Sequence, residues 1–321
     1  MLLSAKREDS ESLSPALSQR ERGKTLAVLT AVDACERSRT IAPVRRDTAE
    51  TDLQPAALPP SVAGWAVAQR SASVCDLDRA LTALVKQRWI KPPTLAKREG
   101  MAETWLGALH GATGEIALKI RRVSAAPRSA SHFARAWRGA LRLQRAGIAT
   151  GEPLAILREP AVGSVSQPHR EALLLRAVPG SDLLHVLHNN QSSQARLLCV
   201  ATRTGALVHA MAQANLRNRD AKLSNLILMT DWNIGVIDTA GVGRIVPLPL
   251  ARARAVERML FDMLKESSGC SVLPARTALW RCLTTAMGPA ASRDARKALW
   301  RRLARALDRA GDTTPRVDPL G

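Results

Sequence analysis

The sequence of 321 residues contains no tyrosine and only two phenylalanines. Because these side chains are so scarce, we expect Leu, Val, Ile, Ala and the seven tryptophans to build the hydrophobic core. The hydrophobic fraction of 46% is nevertheless ordinary for a folded globular protein. The shortage of aromatic residues is therefore a compositional bias, and it indicates no particular function.

Cysteine patterns typical of metal sites are also absent. The chain has five cysteines, an odd number, and they are widely scattered: Cys35, Cys75, Cys199, Cys270 and Cys282. No CxxC and no Cys/His pair of metal-ligand spacing occurs among them. Reduced cysteines in a cytoplasmic protein are the simplest interpretation.

Long apolar runs are missing as well. No window approaches 18 uncharged apolar residues, so the sequence predicts no transmembrane helix. The first residues, MLLSAKREDSES, lack the uninterrupted apolar region of a cleaved signal peptide. We therefore expect a cytoplasmic protein, for which any contact with a membrane would be peripheral.

Negative charge is scarce in most of the chain. The formal net charge is +19, yet residues 1–60 contain nine basic and nine acidic residues, so the whole surplus lies in residues 61–321. Such a surplus favours polyanionic partners, namely nucleic acid, anionic lipid or a phosphorylated substrate; a generally basic soluble surface is the alternative. Nucleic acid has only charge in its favour, because the sequence shows no zinc site, RNP-type strand or interleaved aromatics.

The pattern of apolar residues divides the chain into three parts. Residues 1–60 are polar and rich in Ser and Pro, which predicts a disordered leader. Residues 61–176 are predicted to form a strand-rich lobe with a preceding helix, and residues 177–315 a helical lobe. Helices are predicted over residues 76–90 (with Asp76 as cap), 130–147, 181–189, 193–214 and most of 250–310. Strands are predicted within residues 104–123, 154–157, 172–175, 226–229 and 234–237.

Two short segments carry residues suited to phosphoryl transfer, NRDAKLSN (218–225) and VIDTAG (236–241). This reaction needs a carboxylate near the acceptor hydroxyl, oxygen ligands for Mg²⁺, and a cation on the nucleotide phosphates. Asp220 and Asn225 lie five positions apart, and Asp238 follows thirteen positions later, at the end of a predicted hairpin. We expect the hairpin to return Asp238 to the side of the first two residues.

These segments resemble the protein-kinase-like superfamily, whose catalytic loop reads H-R-D-x-x-x-x-N. Asn218, Arg219 and Asp220 match the first triplet with Asn in place of His, and DTA (238–240) stands where D-F-G is usual. Within the superfamily the chain is similar to the bacterial lipopolysaccharide kinases (Kdo and heptose kinases, WaaP-like). The similarity extends to AGIATGEPLAIL (146–157) and ALLLRAVPGSDLLHVL (172–187).

The resemblance implies a fold and a role for each residue. The fold would be α+β, a protein-kinase-like two-lobed fold with a small β-rich N-lobe and a larger helical C-lobe. Asp220 would orient or deprotonate the acceptor hydroxyl, and Lys222 would contact the transferred phosphoryl group. Asn225 and Asp238 would bind Mg²⁺, and Lys119, at the end of GEIALKIRR, would contact the ATP phosphates. A polar, solvent-facing turn and strand remain the alternative for these five residues.

The sequence departs from the kinase pattern at two points. No Asp or Glu occurs from Ile120 to Gly151, so the helix predicted over residues 130–147 does not carry the glutamate that kinases place there. Ala136 stands before Trp137, where lipopolysaccharide kinases usually have an acid, and Asp238 is the alternative counter-charge for Lys119. The turn LGALHGATGE also lacks the G-x-G-x-x-G of typical kinases.

The sequence as a whole predicts an ATP- and Mg²⁺-dependent enzyme that phosphorylates a sugar hydroxyl of an envelope glycan at the cytoplasmic face of the inner membrane. The acceptor would be an anionic glycan or a lipid-linked sugar. A pseudokinase is the first alternative, and a basic nucleic-acid-associated protein is the second. The amphipathic segment ARKALWRRLARAL (295–307) is predicted either to pack on the helical lobe or to lie on an anionic membrane.

Overall fold

The computed structural model describes residues 59–71, 76–99, 101–123, 131–160, 169–188, 193–267 and 276–310. These residues all belong to one compact unit, Thr48–Gly321. The leader predicted for residues 1–60 lies outside the described residues, apart from its last two positions. The predicted lobe boundaries at residues 176 and 315 stay predictions.

The first part of the chain is built on one antiparallel sheet of six strands. Its strands are β1 Ala66–Arg70, β2 Trp89–Glu99, β3 Ala102–Leu109, β4 Ile116–Val123, β5 Glu152–Arg158 and β6 His169–Arg176. They lie in the order β1-β5-β6-β4-β3-β2, and every pair of neighbours is antiparallel. Strands β5 and β6 are buried over most of their length, as their aliphatic runs predict, whereas β4 is buried at four of its eight positions.

Two helices cover the two faces of this sheet. Helix α1, Leu77–Val85, packs on one face with Leu118 and Ile120 of β4. Helix α2, His132–Arg145, packs on the other face, where Ala117 lies. Because side chains alternate along a strand, Lys119 belongs to the same face as Ala117 and points toward α2.

The second part of the chain is helical. Its helices are α3 Leu183–His188, α4 Gln194–Gln213, α5 Pro249–Ser267, α6 Arg276–Met287 and α7 Arg293–Arg309. Its short strands are β7 Ser181–Asp182, β8 Leu216–Asn218, β9 Leu226–Leu228, β10 Ile234–Val236 and β11 Val242–Arg244. Strands β9 and β10 form the predicted hairpin, and β11 pairs with β8. The chain thus has an antiparallel-sheet lobe followed by a helical lobe, the two-lobed protein-kinase-like α+β fold that the sequence predicts.

The helix predicted over residues 76–90 is shorter than expected. It ends at Val85, Gln87 has a positive φ of 53°, and the edge strand β2 begins at Trp89. The predicted capping role of Asp76 is wrong, because its side chain makes no capping bond to the helix. It instead accepts hydrogen bonds from the backbone N and the Oγ1 of Thr113.

The amphipathic segment 295–307 lies within helix α7, and its apolar face is buried. Leu299, Trp300, Leu303 and Leu307 are each 7% exposed or less, and Trp300 meets Trp280 of α6 edge to face at 6.1 Å. Of the two arrangements predicted for this segment, the structure shows the first: its apolar face packs on the helical lobe. None of the described helices combines the length and apolarity needed to cross a bilayer.

Candidate functional site

The loop between β8 and β9 brings three of the predicted site residues together. Asn225 Nδ2 donates hydrogen bonds to the backbone oxygen of Asp220 at 3.1 Å and to its Oδ2 at 3.0 Å. Lys222 Nζ lies 3.0 Å from Oδ1 of the same carboxylate, whose side chain is 41% exposed. The Asp220 carboxylate is therefore held from two sides while part of it still faces solvent.

Asn218, which stands where kinases have His, is buried and fixes the start of this loop. Its Oδ1 accepts a hydrogen bond from the backbone N of Asp220 at 3.1 Å. The segment that follows Asp238 packs closely against it, because a Cβ placed on Gly241 would lie only 2.5 Å from that same Oδ1. Arg219 N also donates to the oxygen of Gly241 at 3.1 Å. A glycine at position 241 is therefore what lets the two segments meet.

Asp238 follows directly from the β9–β10 hairpin. Ile237 N donates to the backbone oxygen of Asn225 at 3.0 Å, so the chain enters Asp238 beside the Asp220 loop. Oδ1 of Asp238 accepts from Ala240 N at 3.2 Å, which turns the side chain along its own loop. The hairpin thus returns Asp238 to the side of Asn225.

Lys119 reaches the same place from the sheet lobe. Its Nζ donates to the backbone oxygen of Ile237 at 3.1 Å, although the two residues are 118 positions apart in sequence. Ile237 immediately precedes Asp238. The fold therefore brings the lysine of β4 next to the segment that carries the predicted metal-binding aspartate.

Helix α2 is attached to this segment by direct packing and not by an acidic side chain. Thr239 Oγ1 donates to the backbone oxygen of Ala136 at 2.6 Å. A Cβ on Gly139 would lie 1.9 Å from the backbone oxygen of Thr239, so the helix and the loop are in closer contact than any other residue would permit. These contacts fix α2 next to Asp238 and cover the face of the sheet that bears Lys119.

Glu171 on β6 lies at the N-terminus of α2 but, among the described residues, does not pair with Lys119 in the way the kinase glutamate does. Ser131 caps the helix by accepting from Ala134 N at 3.3 Å, and its Oγ donates to Oε2 of Glu171 at 2.5 Å. Glu171 on β6 is 1% exposed and also accepts from Arg158 Nε at 2.9 Å. This buried carboxylate therefore anchors the helix N-cap to the sheet.

Electrostatics indicate that further side chains lie near the site. Burial lowers the pKa of His132, in the first turn of α2, even though the Asp238 carboxylate acts in the opposite direction. Burial likewise raises the pKa of Asp262 on α5, and the negative charge of Asp220 adds to that rise. Burial therefore disfavours the charged form of His132.

Glu266 of helix α5 is a residue that the sequence analysis missed. Its carboxylate accepts from the backbone N of Ser224 at 2.9 Å and from Ser224 Oγ at 2.6 Å. Ser224 lies between Lys222 and Asn225, so Glu266 anchors the Asp220 loop to helix α5. The sequence offers no indication of it, since 42 residues separate the two partners and no motif links them.

The donor atoms suit Mg²⁺, a hard cation that prefers oxygen ligands. Because Asn225 Nδ2 is used within the loop, Oδ1 is the atom of this side chain that would bind the metal, together with the Asp238 carboxylate. Mg²⁺ usually binds through one or two protein ligands and fills its other positions with water and substrate phosphates. Among the described residues, no three His, Cys, Asp or Glu side chains are grouped as a metal site.

Neither a protein-family model nor a curated protein sequence matches this chain. Solved structures do match it. One, described as WaaP in complex with acyl carrier protein, is 15% identical, with 75% of this chain and 92% of that chain covered and a TM-score of 0.49. A likeness of this size gives no information about the reaction. Any assignment of a reaction has to come from the geometry of the site.

Proposed function

We propose that this protein is a phosphotransferase that uses ATP and Mg²⁺ to phosphorylate a sugar hydroxyl of a lipopolysaccharide-type or other envelope glycan. The observation that supports it best is the convergence of Lys119, Asp220, Asn225 and the Asp238 segment through hydrogen bonds. These are the residue types that phosphoryl transfer needs, and they come from two lobes that meet at one point.

Asp220 is the residue proposed to act on the acceptor. Its carboxylate, oriented by Asn225 and Lys222, accepts the proton of the sugar hydroxyl as the hydroxyl oxygen bonds to the γ-phosphorus. The bond from that phosphorus to the bridging oxygen of ATP breaks, and ADP leaves. Bound Mg²⁺ supplies positive charge at the phosphate oxygens.

Lys119 and Lys222 are proposed to supply the protein's own positive charge. Lys119, beside Ile237, contacts the phosphates of the nucleotide, and Lys222, beside Asp220, contacts the phosphoryl group in transfer. Because phosphoryl transfer depends mainly on positioning, the rigid contact of α2 with Thr239 takes the part usually played by a Lys–Glu pair.

The acceptor is proposed to be anionic, and the reaction to occur at the cytoplasmic face of the inner membrane. The surplus of positive charge falls entirely within residues 61–321, and most of it is arginine, which binds phosphate and carboxylate in a bidentate manner. An already phosphorylated or acidic glycan, free or linked to lipid, would be attracted by such a surface.

A pseudokinase that binds a nucleotide or a partner without transfer is the second candidate. It is favoured by the absence of an acid on the described helix α2, whose residues His132–Arg145 contain neither Asp nor Glu.

Transfer of label from γ-labelled ATP to extracted envelope glycans in the presence of Mg²⁺ distinguishes the two. We expect wild type to label a glycan and Asp220→Ala to lower the rate about 1,000-fold, the usual effect of removing a general base. Asp308→Ala is the matched control, because Asp308 is an exposed aspartate on α7. Labelling that survives in Asp220→Ala, or nucleotide binding by wild type with no labelled product, would reject the enzyme.

A further inference from the structure

An exposed apolar run follows the candidate site. The five consecutive residues 246–250, VPLPL, are all exposed, with Val246, Leu248 and Leu250 at 61%, 57% and 62%. Single exposed apolar residues are common in soluble proteins, but four or more in succession are a departure that needs a functional reason. We refer to residues 246–250 as the apolar run.

The apolar run is connected to the loop that carries Asp220 through the paired strands β11 and β8. It begins two residues after strand β11, which pairs with β8 as Val242 faces Asn218, two positions before Asp220. It ends in the first turn of α5, the helix that carries Glu266. Because Arg244 faces Leu216 and Ile245 N donates to the oxygen of Asn215, the apolar run leaves the strand pair at the end of β8 that is farther from Asp220.

The charge around the apolar run has one sign. No acidic residue occurs between Asp238 and Glu257, whereas three arginines do, at positions 244, 252 and 254. Arg244 and Arg254 are exposed, and Arg252 donates to Asn215 Oδ1 at 3.0 Å. An exposed apolar segment whose flanking sequence contains cations and no acids is suited to an anionic lipid headgroup layer above an acyl interior.

The backbone of the apolar run disfavours a protein strand as the partner. Pro247 and Pro249 have no N–H group, and Leu248 N already donates to the oxygen of Val246 at 2.8 Å. Recognition by strand addition depends on a series of main-chain hydrogen bonds, which these residues cannot supply. What the apolar run offers is side-chain surface, which an acyl layer accepts without directional bonds.

We propose that residues 246–250 insert into the interface of an anionic bilayer, with Leu248 and Leu250 in the acyl boundary and Arg244 and Arg254 on the headgroups. This surface would hold the protein at the membrane that contains a lipid-linked acceptor, a consequence that rests on the proposed function. Membrane binding does not depend on the proposed function, because membrane binding involves neither nucleotide nor turnover.

Flotation of the full chain with vesicles of equal parts phosphatidylglycerol and phosphatidylcholine tests the proposal, in the absence of ATP. We expect wild type to float and Leu248→Ser/Leu250→Ser to lose about tenfold or more in partitioning, because buried apolar area drives interfacial binding. The matched control is Ile90→Ser/Met101→Ser, at 61% and 69% exposure on the sheet lobe, which should float as wild type does. Thermal midpoints confirm that each variant is folded.

A second pair of variants tests the charge. Arg244→Gln/Arg254→Gln should reduce flotation, whereas Arg301→Gln/Arg305→Gln, an exposed pair on α7, should reduce it less. The proposal is overturned if wild type stays in the unbound fraction. It is also overturned if the variant at 248 and 250 loses no more binding than the variant at 90 and 101, or if the two arginine double variants lose binding equally. It is also overturned if wild type is a dimer in solution that Leu248→Ser/Leu250→Ser dissociates, since the apolar run would then bind a second copy.

Discussion

The Asp220 loop and the Lys119 contact are two parts of the candidate site, and they are held by different means. The loop is fixed within the helical lobe by polar side chains, since Asn225 binds Asp220 and Glu266 binds Ser224. The Lys119 contact crosses between lobes and depends on a backbone oxygen, that of Ile237. Close packing of helix α2 against Thr239 keeps that contact in register.

This difference shows where the site is tolerant and where it is not. A polar network of several hydrogen bonds loses one member at a moderate cost, because the others still define the geometry. A tight backbone contact has no such reserve, since any added atom forces the two elements apart. We therefore expect the largest effect where a side chain is added at the α2–Thr239 contact, and smaller effects where hydrogen bonds are removed from either part.

Gly139→Val should have the largest effect on stability. The Cβ of the new valine would lie 1.9 Å from the backbone oxygen of Thr239, so helix α2 would have to move away from the Asp238 segment. We expect a loss of about 3 kcal/mol in the free energy of unfolding, measured with urea, and weaker ATP binding. Gly243→Val is the control, since no described atom lies within 4 Å of a Cβ built there. Equal losses in the two variants would show that the contact is not tight.

Glu266→Ala should have the next largest effect. It removes two hydrogen bonds to Ser224 and leaves the buried side of the Asp220 loop without its anchor, at a cost of about 2 kcal/mol. Phosphotransfer should slow along with it, because Lys222 and Asn225 flank Ser224. Glu257→Ala on the same helix, which removes a surface pair with Arg302, is the control and should change both quantities little. A destabilised Glu266→Ala with full transfer activity would argue against a positioning role.

Thr239→Val should have the smallest effect of the three. It removes the bond from Oγ1 to the Ala136 oxygen while keeping the shape of the side chain, which should cost about 1 kcal/mol in urea unfolding. ATP affinity should fall with it, and Thr239→Ser, which retains the hydroxyl, should restore both. If the valine variant unfolds and binds as wild type does, the hydroxyl does not hold α2 in place.

The residues whose contacts could be expected from spacing lie close together along the chain, whereas Lys119 was identified only through the resemblance to kinases. Asp220 and Asn225 share one loop, and a single hairpin returns Asp238 to them, so their spacing alone predicts the contact. Glu266 and Thr239 could not be predicted in the same way. Their partners lie 42 and 103 positions away, and only tertiary packing brings them together.

Two of the differences between the sequence prediction and the structure have a clear local cause. The helix at 76–90 was extended too far, because the apolar pattern continues past Gln87, where the backbone turns to a positive φ. Strand β2 was not predicted, because it contains Pro92 and Pro93, which cannot donate to a sheet. The strand lies at the edge of the sheet, where missing N–H groups are tolerated.

Calorimetric titration of the folded protein with ATP, with and without Mg²⁺, tests the central claim most directly. We expect Mg²⁺-dependent binding by wild type and by Asp220→Ala, loss of the Mg²⁺ dependence in Asp238→Ala, and about tenfold weaker binding in Lys119→Ala, as expected for a lost charge-assisted contact. Folded wild type that binds no ATP with Mg²⁺, or that binds it equally well after Asp238→Ala and Lys119→Ala, would contradict the account.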